Sequence, residues 1–296
     1  MVELPKTRLQ SRESCQGDFC LIDSVANSLL SKHALPFSLV IPAYNEVERI
    51  VPTLKGLIET LDFRFKKEYE LLVVMDGCND GTTEAVNQLI NNNSSVIAIV
   101  FPDRLGKGGA IIEALKYAKG DLIAFIDADG AVPPFELRRL ADLAKGYDLV
   151  VGSRYAKGAT LPKGRSIGRN LLSRSFNVLV KLLFWRLRGI KDTQCGVKIF
   201  SKKLAVSIQE DLLITDFAFD VNLIYSALRR GFKVREVGVY WAERDGSKMS
   251  GEMKKQCLTM LFSLLRLRIY YQFKKASFSR RLVNKLARPI YLWLQN

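Results

Sequence analysis

Apolar and amphipathic segments alternate regularly along the first half of the chain. Continuous runs of Val, Ile and Leu predict buried strands over residues 37–44, 69–76, 95–101, 121–129 and 147–154. Apolar residues at helical spacing predict helices between them, over residues 46–61, 82–92, 108–120 and 135–146. Such strands, alternating with helices, are typical of a parallel sheet buried on both sides. We therefore expect an α/β protein whose mostly parallel sheet carries helices on both faces.

Polar side chains follow each predicted strand. In open parallel sheets, ligands bind at the carboxyl ends of the strands, so these side chains predict where a site would form. In strand order they are Asn45 and Glu46, then Asp76, then Arg104 and Lys107, then Asp127 and Asp129, and finally residues 152–154.

The fourth strand is followed at once by two aspartates, Asp127 and Asp129, only two residues apart. Two close carboxylates repel each other, and a divalent cation relieves that repulsion. Mg2+ is held in this way, by one or two carboxylates together with phosphate oxygens and water. The five cysteines lack metal-ligand spacing and His33 is the single histidine, so zinc sites and histidine-based triads are not expected.

The segment 103–110, DRLGKGGA, places three glycines and Lys107 at the start of a predicted helix. Bare backbone amides and a cation at a helix N-terminus can hold a phosphate. The segment lacks the GxxxxGK[ST] spacing of a P-loop, so a phosphate contact and a tight turn both remain open.

The formal charge of +15 is concentrated in two blocks. Residues 154–191 contain ten Lys or Arg and no acid, and residues 248–296 contain eleven against Glu252 alone. Phosphates, either soluble or on lipids, are the expected partners. Nucleic acid is not expected, because neither block carries a nucleic-acid-binding motif. A solvated basic face is the alternative explanation for the first block.

The chain ends in segments that mix apolar and aromatic stripes with Lys and Arg, over residues 250–296. This mixture predicts basic amphipathic helices that lie in a membrane interface. Packing of the apolar stripe on the rest of the protein, or on a partner subunit, is the alternative. The longest uncharged apolar run has about ten residues, and a membrane-spanning helix needs about 20. No function is assigned to an N-terminal extension, residues 1–36.

Four motifs occur in a characteristic order: SLVIPAYNE, LLVVMDGCNDGT, RLGKGGA and FIDADGA. Together they resemble the GT-A fold, a Rossmann-like architecture, of the family 2 glycosyltransferases. KDTQCGVKIF, FAFDVNLIY and YWAERDGSKM are similar to the dolichyl-phosphate beta-glucosyltransferase branch of that family and to its archaeal relatives. The resemblance covers residues 37–249, which we expect to form the glycosyltransferase domain.

The resemblance implies roles for individual residues. Asp127 and Asp129 would form the DxD motif that binds Mg2+ or Mn2+ on the donor diphosphate, with Lys248, Asp192 and Asp220 as further catalytic candidates. Asp192 and Asp220 could orient the acceptor or arginine side chains, or could cap structure. The donor would contact Pro42, Ala43, Tyr44, Glu46, Asp76, Lys107, Gly108, Asp127 and Ser247. The acceptor phosphate would contact Arg154, Arg165, Arg169 and Ser173.

The chain departs from the family pattern at three positions. Met75 and Cys78 replace the first Asp and the Ser of the usual DDGS motif. Ala131 stands where the related mannose synthases offer a glutamine to the metal, although the glucosyltransferase branch has alanine there too.

The resemblance implies a metal-dependent inverting transferase that moves glucose from UDP-glucose onto dolichyl or polyprenyl phosphate. A phosphate monoester has a second pKa of about 6 and needs no general base, so a basic cradle suffices to position it. UDP-N-acetylglucosamine and GDP-mannose remain alternative donors. Transfer to a hydroxyl, with Asp220 or Asp192 as base, also remains open, as does a catalytically silent nucleotide-sugar-binding or nucleotidyltransferase-like subunit. The protein is expected on the cytoplasmic face of a membrane, attached peripherally to anionic lipids.

Overall fold

The computed structural model describes residues 35–90, 93–162, 167–242 and 253–273. The seven strands of this part are β1 (Phe37–Ala43), β2 (Tyr69–Asp76), β3 (Val96–Phe101), β4 (Leu122–Ile126), β5 (Leu149–Ser153), β6 (Val197–Ser201) and β7 (Val234–Gly238). The first four helices are α1 (Val47–Phe65), α2 (Thr82–Ile90), α3 (Lys107–Ala114) and α4 (Pro134–Leu143). They are followed by α5 (Ile167–Leu183), α6 (Lys202–Ile208), α7 (Phe219–Arg229) and α8 (Met253–Phe273).

All seven strands form one sheet in the order β3-β2-β1-β4-β6-β5-β7. β1 pairs in parallel with β2 and β4, β2 with β3, and β5 with β7. β6 alone of these strands runs antiparallel, between β4 and β5. The predicted mostly parallel α/β sheet is confirmed, but β5 is not a direct neighbour of β4.

Several predicted elements are shorter in the structure, and for two of them the difference moves a residue that the sequence singled out. The fourth strand ends at Ile126, so Asp127 and Asp129 lie in the turn beyond it. The helix predicted over residues 108–120 ends at Ala114. Gly120 lies outside that helix and donates its backbone N–H to Ser38 Oγ at 2.7 Å.

Alternate residues of the strands supply a separate hydrophobic core on each face of the sheet. On β2, Leu72 and Val74 point to one core, and Leu71 and Val73 point to the other. This division follows from the two-residue period of a strand. Both faces of the central strands are therefore covered, as their apolar sequences predicted.

The C-terminal helix α8 belongs to one of these cores. Leu264, Leu267, Tyr270 and Tyr271 are buried in the same cluster as residues of α3 and α7. The opposite side of the helix exposes Leu258, Phe262, Leu265 and Ile269. The helix thus packs on the sheet and its helices with one side and leaves an apolar stripe on the other. Within the described residues, no helix is long and apolar enough to cross a membrane.

Candidate active site

A cavity of about 450 Å3 opens where β1 to β4 end. Its walls are built mainly from the turns that follow these strands, which is where polar residues were predicted to gather. The lining residues are Pro42, Ala43, Tyr44, Asn45, Glu46, Arg49, Asp76, Arg104, Lys107, Asp127, Ala128, Asp129, Phe217 and Gln256.

Asp127 and Asp129 both line the cavity. Asp127 remains partly exposed, whereas Asp129 accepts a hydrogen bond from the backbone N–H of Ala131 at 2.9 Å. Burial raises the pKa of Asp129, and the negative charge of Asp127 raises it further. The N–H of Ala131 and the charges of Arg49 and Lys107 act in the opposite direction. The structure therefore confines two carboxylates in a setting where an added cation would favour their charged forms.

Lys107 connects the acid pair to the protein interior. Its ammonium group lies 2.8 Å from Asp127 Oδ1 and 3.3 Å from Asp220 Oδ2. Burial lowers the pKa of Lys107, but the carboxylates of Asp127 and Asp220 outweigh burial and raise it overall. Asp220 is itself buried and lies 2.5 Å from the ammonium of Lys198. A chain of alternating charges thus runs from the cavity into the protein interior.

Asp76 shapes the cavity through the backbone of the next loop. Its two carboxylate oxygens accept the N–H groups of Leu105 and Gly106 at 2.5 and 2.9 Å. Burial raises the pKa of Asp76, against the effect of these two N–H groups and of Arg104. The Arg104 guanidinium in turn stacks over the Tyr44 ring, 3.9 Å from its centre. These contacts order the β1 and β3 ends of the cavity.

The glycines of the 103–110 segment permit close packing. A side chain on Gly106 or Gly108 would collide with the backbone carbonyls of Thr215 and Ile214, and Gly106 has a φ of +84°. The N–H of Gly109 donates to the carbonyl of Thr215 at 3.0 Å. Gly108 is buried against the 214–219 segment and is not among the residues that line the cavity. Close packing against residues 214–219 accounts for the glycines of this motif, and Lys107 is its residue that lines the cavity.

The family 2 glycosyl transferase model matches residues 38–206, which is more than half of the chain and includes every strand that ends at the cavity. The chain belongs to glycosyl transferase family 2. This result confirms the family that the sequence motifs indicated.

Curated relatives of this glycosyltransferase include dolichyl-phosphate beta-glucosyltransferases. The protein from Dictyostelium discoideum is 32% identical over 246 residues, which cover 79% of this chain and 74% of the relative. The human protein is 33% identical over 72% of this chain and 69% of the relative. Glycosyltransferase AglD from Haloferax volcanii is 32% identical over 77% of this chain and 36% of its own length.

A solved structure with the same fold is glucosyl-3-phosphoglycerate synthase from Mycobacterium tuberculosis in complex with UDP. It has a TM-score of 0.61 at 18% identity and covers 86% of both chains. At this identity the similarity establishes the fold alone, and it confirms the predicted GT-A architecture.

Arg154, the residue after β5, forms a buried ion pair with Asp192. Its guanidinium contacts both carboxylate oxygens of Asp192 at 2.7 and 2.9 Å, and the Arg154 N–H donates to the same carboxylate at 2.9 Å. Burial raises the pKa of Asp192, but Arg154 outweighs burial and lowers it overall. Asp192 thus holds an arginine side chain and also accepts the backbone N–H groups of Arg154 and Gln194. The antiparallel β6 separates this pair from the acid turn after β4.

One other predicted acceptor residue, Ser173, is linked to Arg154 through Tyr155. Tyr155 donates its hydroxyl to Ser173 Oγ on α5 at 3.0 Å, and the Arg174 guanidinium lies 5.7 Å from the centre of the Tyr155 ring. The backbone of Arg169 is part of α5, but its side chain falls outside the described residues. Arg165, Ser247 and Lys248 also fall outside them, so the predictions for these four side chains remain predictions.

The DTQCG segment contacts both Arg154 and the acid turn after β4. Asp192 holds Arg154, and Cys195 offers its carbonyl to the ammonium of Lys198 at 2.6 Å. Gly196 packs directly against the carboxylate of Asp127. Cys195 is fully buried, and burial raises the pKa of its thiol to about 12.

Cys78 accounts for one departure from the family pattern. Its sulfur lies 3.4 Å from the carbonyl of Ala43 and 3.5 Å from the backbone N–H of Asn45. The thiol thus ties the β2 turn to the β1 turn, a task that a serine hydroxyl could perform. Met75 is fully buried in the core, and Ala131 brings only its backbone to Asp129.

Sequence reasoning did not single out four residues that line the cavity, namely Arg49, Ala128, Phe217 and Gln256. Arg49 donates two hydrogen bonds to the Glu46 carboxylate, at 2.7 and 2.8 Å. It lies three residues after Glu46, in the first turn of α1, and that spacing could have predicted the pair. Phe217 and Gln256 come from the C-terminal third of the chain, and no local sequence signal places them at the strand ends.

Proposed function

We propose that this protein is a polyprenyl-phosphate glucosyltransferase that transfers glucose from UDP-glucose to a dolichyl-type phosphate. The observation that carries the proposal is the pairing of Asp127 and Asp129 in a cavity at the strand ends of a family 2 glycosyltransferase. The dolichyl-phosphate beta-glucosyltransferases among its relatives support the donor sugar and the acceptor. Structures of the same fold that were solved with UDP-glucose support the donor.

The two carboxylates fit a divalent cation. Within the described ranges there is no cluster of three or more His, Cys, Asp or Glu that could enclose a metal. Two carboxylates on an open cavity suit an ion that keeps waters and takes further oxygens from a diphosphate. Asp127 and Asp129 would therefore hold Mg2+ or Mn2+ together with the donor, and the ion would stabilise the charge of the departing UDP. A structural relative was solved with Mn2+ and UDP, which supports this assignment.

The protein's own groups act on the donor around this position. Tyr44, Asp76 and Arg104 form the wall expected to receive the nucleoside. Lys107 carries a stable positive charge next to Asp127 and would favour the growing negative charge of UDP. The bond between the anomeric carbon and UDP breaks as a phosphate oxygen of the acceptor bonds to the opposite side of that carbon, which inverts its configuration.

The buried aspartates argue against a hydroxyl acceptor. A hydroxyl nucleophile benefits from a general base, but Asp220 is held between Lys107 and Lys198, and Asp192 is held by Arg154. The lowered pKa of Asp192 makes it a weak base, and Asp220 is engaged by two lysine ammonium groups. A phosphate acceptor needs no base, because it is already largely ionised at neutral pH.

Arg154, Ser173 and the basic stretch containing Arg165 and Arg169 are proposed to receive the acceptor phosphate. Arg154 would act with its charge partly balanced by Asp192, so the remaining basic residues would supply most of the attraction. Arginines suit this task because their planar donors match phosphate oxygens.

Two exposed apolar surfaces support peripheral membrane attachment. The stripe on α8 has a counterpart on α5, where Leu171, Val178 and Leu182 are more than half exposed. Apolar side chains next to Lys and Arg are typical of helices that rest in a lipid interface. We propose that they hold the protein on the cytoplasmic face of a membrane, close to a lipid acceptor.

A donor panel tests the proposal. Purified full-length protein is incubated with dolichyl phosphate and radiolabelled UDP-glucose, UDP-N-acetylglucosamine or GDP-mannose, with and without a chelator. We expect chloroform-soluble label from UDP-glucose only, lost on chelation and restored by Mg2+ or Mn2+. Asp129→Asn should lower turnover by about 100-fold or more, because the metal site is worth several kcal/mol. Asp103→Asn, on an exposed residue, should not change it.

Three results would count against the proposal. Binding of UDP-glucose without any product would indicate a silent binding subunit. A preference for another nucleotide sugar would show that glucose is not the transferred sugar. Full activity in the presence of the chelator would show that the reaction needs no divalent metal.

A further inference from the structure

The first turns of α8 reach the cavity at the strand ends. Gln256 lines that cavity together with Phe217, although it lies more than 120 residues beyond Asp129 in the chain. The Gln256 amide oxygen is buried, and it finds no hydrogen-bond partner among the described residues. A buried acceptor without a partner is costly, and a ligand can relieve that cost.

The position of Gln256 is set by the rest of α8. Ser263, two turns further on and on the same side of the helix, donates its hydroxyl to the carboxylate of Asp216. Tyr271 and Ser226 lie 2.5 Å apart through their hydroxyls, and Leu264 and Leu267 are fully buried. The helix is thus anchored to the domain over several turns, which fixes where Gln256 points.

The chemistry of the amide oxygen limits what it can bind. This atom only accepts hydrogen bonds. An ionised diphosphate offers no donor, but a hydroxyl group does. Among the groups of the bound donor, only a hydroxyl or an N–H can donate to it.

Contacts within the site favour the hexose over the nucleoside. Phe217 lies three residues before Asp220, which holds Lys107, and Lys107 contacts Asp127. Phe217 and Gln256 line the same cavity as the acid pair, where the diphosphate is proposed to lie. The hexose is attached to the outer phosphate, whereas the base is expected at the Tyr44 and Asp76 wall.

We propose that Gln256 accepts a hydrogen bond from a hydroxyl group of the donor hexose and so contributes to the choice of sugar. The inference rests on the proposed function. It makes α8 part of the donor site as well as an anchor of the domain.

Isothermal titration calorimetry with UDP-glucose and with UDP tests the assignment. Gln256→Met keeps the length of the side chain and removes the acceptor. We expect it to weaken UDP-glucose binding by about 3- to 10-fold, the range for one neutral hydrogen bond, and to leave UDP binding unchanged. Gln272→Met, on an exposed residue of the same helix, should bind both ligands like the wild type.

The outcomes separate this inference from the proposed function. Equal loss of UDP and UDP-glucose binding in Gln256→Met, or no loss of either, would overturn the inference, and glucose transfer by the wild type would still support the proposed function. A wild-type protein that bound neither ligand would overturn both. Gln256→Ala adds a packing check: loss of UDP-glucose binding in Gln256→Ala but not in Gln256→Met would indicate a role in shape alone and would also overturn the inference.

Discussion

The carboxylate of Asp127 packs directly against Gly196, and the Asp127 N–H donates to the Gly196 carbonyl at 3.0 Å. Two motifs that lie about 70 residues apart in the chain, DADG and DTQCG, therefore form one structural unit. A Cβ atom at residue 196 would overlap the Asp127 side chain.

Gly196→Ala is expected to displace the Asp127 carboxylate and to lower glucose transfer by at least about 10-fold, because misplaced catalytic groups lose rate steeply. Turnover and the melting temperature should be measured together. Gly189→Ala is the matched control, since a Cβ at that exposed position meets nothing within 4 Å. Normal turnover in Gly196→Ala would show that the cavity tolerates movement of Asp127.

The buried pair of Arg154 and Asp192 should contribute strongly to stability. Asp192→Asn leaves a buried guanidinium without its counter-charge, and we expect a loss of about 3 kcal/mol in the free energy of unfolding. Glu113→Gln breaks the exposed pair with Lys116 and should cost no more than about 0.5 kcal/mol. Urea unfolding at pH 7 measures both, and equal losses in the two variants would contradict this ranking.

The same pair should make the folded state less stable in acid, below about pH 4. Because the folded-state pKa of Asp192 is lowered, its contribution is present above the unfolded pKa of about 3.9 and is lost as pH falls through the folded value.

Asp216 should act on stability in the opposite direction. Burial raises its pKa to about 6, although Ser263, the Ala218 N–H and Arg266 oppose the rise. The folded state therefore holds this proton more tightly than the unfolded state, and stability is lost as pH rises from about 4 to about 6. The loss from this group is at most about 3 kcal/mol.

Asp216→Asn removes that titration and keeps an acceptor for the Ala218 N–H. The difference in unfolding free energy between pH 4 and pH 7 should therefore shift in favour of pH 7, relative to the wild type. Asp103→Asn should follow the wild-type profile. Unfolding curves at both pH values provide the measurement, and superimposable profiles for Asp216→Asn and the wild type would refute the assignment.

The exposed stripe of α8 should contribute to membrane binding. Leu265 and Ile269 are each more than 40% exposed, and burying such a side chain in lipid is worth about 1.5 to 3 kcal/mol. Changing both to Glu is expected to lower co-flotation with phosphatidylserine-containing vesicles by at least about 10-fold. Val206→Glu alters a still more exposed apolar residue, on α6, and should float normally. Unchanged flotation of the α8 double variant would assign membrane contact to other segments.

The sequence pattern predicted β1 to β5 because each is an almost unbroken apolar run, and four of their ends do meet at the cavity. β6 and β7 escaped prediction because they contain Lys198, Arg235 and Glu236. The charge of Lys198 is balanced by Asp220, a partner that only the folded chain supplies. Insertion of β6 also explains why Arg154 lies apart from the acid pair, since strand order depends on contacts that are distant in sequence.

The donor side of the site was easier to predict than its C-terminal wall. Asp76, Lys107, Asp127 and Asp129 follow strands directly, so local pattern was sufficient. Gln256 was hidden in a segment whose apolar and basic composition indicated membrane contact. Its role depends on which side of α8 faces the sheet. The bond between Ser263 and Asp216 and the burial of Leu264 and Leu267 set that side.

The central claim is that glucose passes to a phosphate oxygen on a lipid. Wild-type protein with radiolabelled UDP-glucose should be compared on dolichyl phosphate and on dolichol, which differ only in the phosphate group. The account predicts an acid-labile, chloroform-soluble product from dolichyl phosphate and none from dolichol. Equal labelling of both lipids, or labelling of neither, would contradict it.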